Sequence, residues 1–174
     1  MKFVEPQNGG DGPALPLEAS VGYQIRLTHR LVQRALQARI ERHGVTLGMW
    51  YFLRALWMKD GLTQSELSAM VGTMEPTTLS AVAAMERAGL VQRERHETDK
   101  RKVNVLLTDK GQALRSGLLP EAIAVVETAV KSMTEHEVAL LLSLLKTVQA
   151  NLTEEIEPVA ERGRRARKPG KVVD

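Results

Sequence analysis

The sequence predicts a mainly α-helical chain with one small β-hairpin, two helices in tandem ahead of that hairpin, and longer helices toward both ends. Three observations carry this prediction. Apolar residues recur at helical spacing along most of the 174 residues. The period shortens after Gly89, where two β-prone runs flank a polar stretch. Thr, Gly and Pro fall where helices start and stop.

Residues 1–16 are rich in Gly and Pro and read as a flexible leader. A long helix is expected from Leu17 to His43, where Val21, Ile25, Thr28, Leu31, Val32, Ala35 and Ile40 recur at helical spacing and Gly44 is a stop. Thr46 is an N-cap for a second helix running through Met49, Trp50, Leu53, Leu56 and Trp57 to Lys59. After the turn signal Asp60-Gly61, Thr63-Gln-Ser-Glu66 has the form of a capping box and opens a short helix that stops at Gly72. Pro76 suits the first turn of the next helix, with Leu79, Val82 and Met85 as its buried stripe and Gly89 as its end. Two helices joined by a turn in this way form a helix-turn-helix.

Leu90–Arg95 and Lys102–Leu107 are the β-prone runs of a hairpin, with His96-Glu-Thr-Asp-Lys-Arg101 at its charged tip. Thr108-Asp-Lys-Gly111 opens a helix with apolar positions to about Met133 and Pro120 as a kink site. A second capping-box form, Thr134-Glu-His-Glu137, opens a last helix through Leu140, Leu141, Leu144, Leu145, Val148 and Leu152. From Glu157 the composition turns polar and basic, and residues 157–174 read as a flexible tail.

Composition excludes several classes. With no cysteine, disulfides, thiolate metal sites and thiol switches are out. His29, His43, His96 and His136 are scattered, so no metal site is expected. No apolar run approaches the roughly 20 residues that span a bilayer; the longest, Val138–Leu145, is interrupted by Ser143. The first residues lack the apolar core of a secretory signal, so a cytosolic location is expected, with no membrane contact. Phosphate-binding loops, dinucleotide glycine patterns and nucleophile elbows are absent from the sequence, so an enzyme is not expected and no cofactor is implied. The net charge of +3 permits nucleic-acid binding without requiring it. The low aromatic content disfavours single-strand readers, which stack bases on aromatic rings.

Three stretches resemble the MarR family of bacterial regulators: Thr46-Leu-Gly-Met-Trp-Tyr-Phe-Leu-Arg-Ala-Leu56; Gly61-Leu-Thr-Gln-Ser-Glu-Leu67; and Gly89–Arg95 followed by Asp99-Lys-Arg101 and Leu107-Thr-Asp-Lys-Gly111. Each alone is weak, but their order and spacing make a strong signal. The resemblance covers roughly residues 20–152. It implies a single domain over 17–156, with a winged helix-turn-helix at 46–110 and dimerisation helices at 17–45 and 111–156. It further implies a homodimer on a pseudo-palindromic double-stranded operator, repression as the commoner mode, and release by a small, often aromatic, molecule.

Candidate DNA contacts follow. At the start of the helix-turn-helix they are Thr63 and Gln64. On the recognition helix they are Pro76, Thr77 and Ser80, with Thr78 at the margin; Ala81 and Ala84 complete a small-residue face without a long base-reading side chain. Many relatives carry a long basic residue there, so direct readout is expected to be weak and the wing to carry more of the affinity. In the wing, the resemblance gives Arg101 to the minor groove and Asp99 to orienting its guanidinium. Arg93, Arg95, Lys100 and Lys102 would neutralise phosphates. Arg26, His29, Trp50, Tyr51, Trp57 and Met58 lie where relatives bind effectors and form a candidate pocket for an aromatic acid. The wide apolar face of the last helix, including Val138, Leu141, Leu142 and Leu145, is expected to meet a second subunit. Two alternatives stand beside this reading: a winged-helix adaptor that binds protein rather than DNA, and a DNA-binding regulator without a ligand.

Overall fold

The computed structural model describes residues 16–95, 99 and 102–166, with side chains described as far as residue 156. The leader (save Pro16), residues 96–98, Lys100, Arg101 and residues 167–174 lie outside the described residues. The chain divides into two compact units, residues 1–129 and 130–174.

In the first unit a short 3-10 turn, Leu17–Ala19, leads into α1, Val21–Ile40. Ser20 caps α1 by accepting from the Tyr23 amide at 3.3 Å. The long helix expected from Leu17 to His43 is thus α1 with a 3-10 turn at each end, the second over Glu41–His43. Its apolar stripe is only partly inside. Leu36 and Ile40 are buried and Val32 is half-buried, whereas Val21, Ile25 and Leu31 remain exposed on the single chain. α2, Leu47–Met58, starts on Thr46, whose hydroxyl accepts from the Met49 amide.

α2 is the centre of the core. Trp50, Phe52, Leu53, Ala55 and Leu56 are all buried, joined by Leu62, Leu67, Val82, Met85, Leu90, Val91, Val105 and Leu118 from the elements around it. Removing a leucine side chain from such a set costs about 2–5 kcal/mol.

β1 (Leu62–Thr63), β2 (Val91–Arg95) and β3 (Val103–Leu107) form an antiparallel sheet in the order β1-β3-β2. The hairpin pairs Arg93 with Val105 and Arg95 with Val103. β1, a strand that the sequence reading lacks, pairs Leu62 with Val105. It ties the start of the helix-turn-helix to the hairpin.

α5 spans Asp109–Val130 and continues through Pro120. Its first turn packs against the hairpin root: an added Cβ on Gly111 would meet the Leu90 carbonyl oxygen at 2.0 Å. Only glycine fits that approach.

The second unit holds α6, Glu135–Ala166. Thr134 and Glu137 make the expected reciprocal cap. The helix runs past Glu157, where a tail is expected from the charge. Glu, Ala and Arg dominate there and are strong helix formers, so charge alone does not end the helix. Leu140, Leu141, Leu142, Leu144, Leu152 and Ile156 are exposed. Among the described residues, no helix is long and apolar enough to cross a membrane.

Candidate nucleic-acid interface

α3, Gln64–Val71, begins with the capping box that the sequence spells. The Thr63 hydroxyl accepts from the Glu66 amide at 3.3 Å, and the Glu66 carboxylate accepts from the Thr63 amide at 2.8 Å and from its hydroxyl at 2.7 Å. These bonds, the side-chain one first, hold the Glu66 carboxyl below its ordinary value of 4.5. The Thr63 hydroxyl is therefore engaged in the cap, and Gln64 beside it is half-buried. Gly72, at φ 71°, closes α3 in the left-handed conformation that glycine adopts without strain. The turn then delivers α4, Glu75–Arg87, with Pro76 in its first turn.

α4 buries Thr78, Val82 and Met85. This corrects the expected stripe of Leu79, Val82 and Met85. Leu79 is 49% exposed, and Thr78, expected at the DNA-facing margin, is fully buried with its hydroxyl 2.9 Å from that of Thr73. The reason is angular. Positions i, i+4, i+7 span about 60° of a helix, whereas i, i+3, i+6 spread over about 120°. The narrower set packs better, and Thr73 supplies the partner that lets a threonine enter the core.

Pro76, Thr77 and Ser80 are exposed on α4. The Ser80 hydroxyl donates to the Pro76 carbonyl at 3.0 Å. Leu79 and Arg87 belong to the same outer surface and are absent from the expected set. Arg87 falls seven residues after Ser80 and eleven after Pro76, so the helical period had already placed it there. Its exposed guanidinium donates through Nε to the Ala83 carbonyl at 3.3 Å.

The hairpin is fastened to α4. Arg93 Nη2 donates to Glu86 Oε2 at 2.5 Å, joining β2 to the recognition helix. The hydrogen bond to Arg93 lowers the Glu86 carboxyl below its ordinary value and raises the Arg93 guanidinium above its own. Arg93, expected to meet a phosphate, is instead committed to a carboxylate. Arg95 and Lys102 are exposed, and Asp99 is half-buried, its carbonyl accepting from the Lys102 amide at 2.9 Å.

The root is equally tied. The Thr108 hydroxyl donates to the Gly89 carbonyl at 2.7 Å, Lys110 Nζ to that of Ala88 at 2.8 Å, and the Leu107 amide to Asp60 Oδ1 at 2.9 Å. Thr108 and Lys110 thus hold the hairpin root to the end of α4, and Asp60 holds it to the turn after α2.

The six candidate pocket residues do not converge. Trp50 is 2% exposed, a core residue with its ring edge-on to Trp57 at 5.9 Å. Trp57 donates to the Gly111 carbonyl at 3.1 Å. Tyr51 and Met58 edge an open depression with Arg54, Met70 and Val71. Arg26 and His29 are exposed on α1, Arg26 lying over the Tyr23 ring. The physical reason is that tryptophans at helical spacing are the largest apolar side chains available, and the core claims them. A separate cavity of about 200 Å³ lies between α1 and α5, lined by Leu31, Val32, Ala35, Arg39, Val125 and Thr128. Arg39 and Arg42 both reach the Glu121 carboxylate.

A tandem helix pair followed by an antiparallel hairpin braced against the second helix defines a winged helix-turn-helix. The model of the MarR family matches residues 45–103. The chain is 27% identical over 153 residues to the HTH-type transcriptional regulator TtmR of Methylorubrum extorquens, covering 87% of this chain and 76% of that protein. The crystal structure of a MarR transcriptional regulator from Methanosarcina mazei superposes with a TM-score of 0.71 at 28% identity, over 77% of this chain and 96% of that one. The fold is shared at 20% identity with BpsR of Bordetella bronchiseptica, whose DNA binding is regulated by 6-hydroxynicotinic acid; the TM-score is 0.69, over 74% and 98% of the two chains. The MarR family model thus matches the winged helix-turn-helix, and over most of its length the chain is similar to proteins named as transcriptional regulators. Its relatives are regulators, not enzymes.

Proposed function

We propose that the chain is a cytoplasmic, sequence-specific repressor that binds a pseudo-palindromic duplex as a homodimer and leaves it when a small aromatic acid binds. The observation that carries the DNA reading is the exposed outer face of α4 held beside an arginine-bearing hairpin by the Glu86–Arg93 pair. Phosphate contacts would come from Arg87, Arg95, Lys100 and Lys102, and Arg101 would enter the minor groove beside Asp99. A dimer seated there represses by excluding polymerase.

Dimerisation is supported by apolar side chains left in water on the single chain: Leu17, Val21, Leu31, Ile123 and Val126 in the first unit, and the leucines of α6 in the second. MarR regulators work as dimers. The effector reading moves from the tryptophans to the cavity between α1 and α5. Its walls are apolar, Arg39 offers a cation, and its volume suits a single-ring acid. That BpsR answers to 6-hydroxynicotinic acid supports the chemical class.

Titrating hydroxylated benzoic and nicotinic acids into a protein–duplex complex tests this. Release by one of them, lost in Arg39→Ala, is the expected result. Persistence of the complex at millimolar concentrations of every such acid makes the chain a ligand-independent regulator.

A further inference from the structure

The outer face of α4 lacks the groups that usually read base edges by hydrogen bonding. Pro76, Leu79, Ser80 and Ala83 follow the i, i+3, i+4, i+7 pattern of one continuous helix face. Pro76 and Ala83 have no polar side-chain atom. The Ser80 hydroxyl donates back to the Pro76 carbonyl. Thr78 is turned into the core, and the Glu75 carboxylate accepts from the Ser65 hydroxyl at 2.8 Å. Arg87 stands about 16 Å along the axis from Pro76, at the end of the helix remote from the first turns that meet bases.

What remains on the first two turns is Thr77, whose hydroxyl can donate or accept and so separates bases poorly, and a large apolar side chain in water, Leu79, 49% exposed. Thr77 adds a methyl group beside it. The major groove offers one apolar feature, the thymine 5-methyl group, which separates T from every other natural base. We propose that Leu79 is the specificity-determining residue of the recognition helix and that it reads thymine 5-methyl groups in the major groove of each half-site. This inference rests on the DNA-binding reading and specifies its chemistry. Such a helix gains affinity by removing methyl surface from water rather than by bidentate hydrogen bonds.

Replacing thymine by deoxyuridine deletes that methyl group and nothing else, which makes the test direct. The full-length protein first selects duplexes from a random pool. Single thymines of the enriched duplex are then replaced by deoxyuridine, and affinities are measured for the wild type and for Leu79→Ala. At least one position per half-site is expected to weaken wild-type binding about fourfold, the value of one buried methyl group. Leu79→Ala should bind the thymine and deoxyuridine duplexes alike. Leu79 is on the surface, so the variant should keep its unfolding midpoint and subunit mass.

Three results overturn the proposal. One is wild-type affinity indifferent to deoxyuridine at every position. Another is a full thymine preference retained by Leu79→Ala. The third is loss of the dimer mass in Leu79→Ala with that preference kept, which would assign Leu79 to a subunit contact. Failure to enrich any duplex defeats the DNA-binding reading as well, so the two ideas fail distinguishably.

Discussion

Arg93 and Arg101 carry different expectations: Arg93 is paired with Glu86, whereas only the resemblance to MarR regulators gives Arg101 to the minor groove. Arg93 is held by Glu86, and the pair braces β2 against α4. Neutralising that carboxylate should free a cation. Glu86→Gln is therefore expected to strengthen non-specific duplex binding and to steepen the salt slope by about one. An unchanged slope would mean that Arg93 reaches phosphate in spite of the pair. Arg101 has the opposite expectation. Arg101→Ala should weaken operator binding at least tenfold, measured by fluorescence anisotropy, while sizing shows an intact dimer. Unaltered affinity in wing variants of a folded dimer would favour the protein-binding adaptor.

At the scale of elements, the capping boxes and the hairpin were legible because their signals are local. Thr63 to Glu66 and Thr134 to Glu137 are three residues apart, and each pair satisfies its own backbone donors. Thr63→Ala should lower stability by about 1 kcal/mol at neutral pH in denaturant titrations. The Glu66 carboxyl is held below its ordinary value of 4.5 by Thr63. A lowered carboxyl stabilises the fold above the unfolded value and loses that effect as pH falls through the folded value. The cost of Thr63→Ala should hence shrink below pH 4.5; a cost constant to pH 2 would contradict the Glu66 carboxylate's share of the cap.

The rest depended on non-local partners. Leu79 and Thr78 exchanged places because both patterns are helical, and the choice rests on Thr73 across the turn. β1 is two residues long and exists through its pairing with β3, some forty residues away. The tryptophans suggested a pocket by composition, but Gly111 lets α5 come close enough to give Trp57 a backbone acceptor. Arg87 was legible from period alone, eleven residues after Pro76, yet is missing from the expected set.

For the whole molecule, the exposed leucines of α6 and the apolar residues left outside on α1 and α5 should be covered by a second copy. Sizing with light scattering at micromolar concentration is expected to give twice the 19.2 kDa chain mass. A chain-sized mass would contradict the dimer. The most direct measurement is the affinity of the full chain for its selected pseudo-palindromic duplex and for a scrambled one of equal length, across a salt series. The selected duplex should bind at least about a thousandfold more tightly at physiological salt, and both affinities should fall linearly on a logarithmic salt scale. Equal affinity for the two duplexes, or binding indifferent to salt, would contradict sequence-specific recognition by this winged helix.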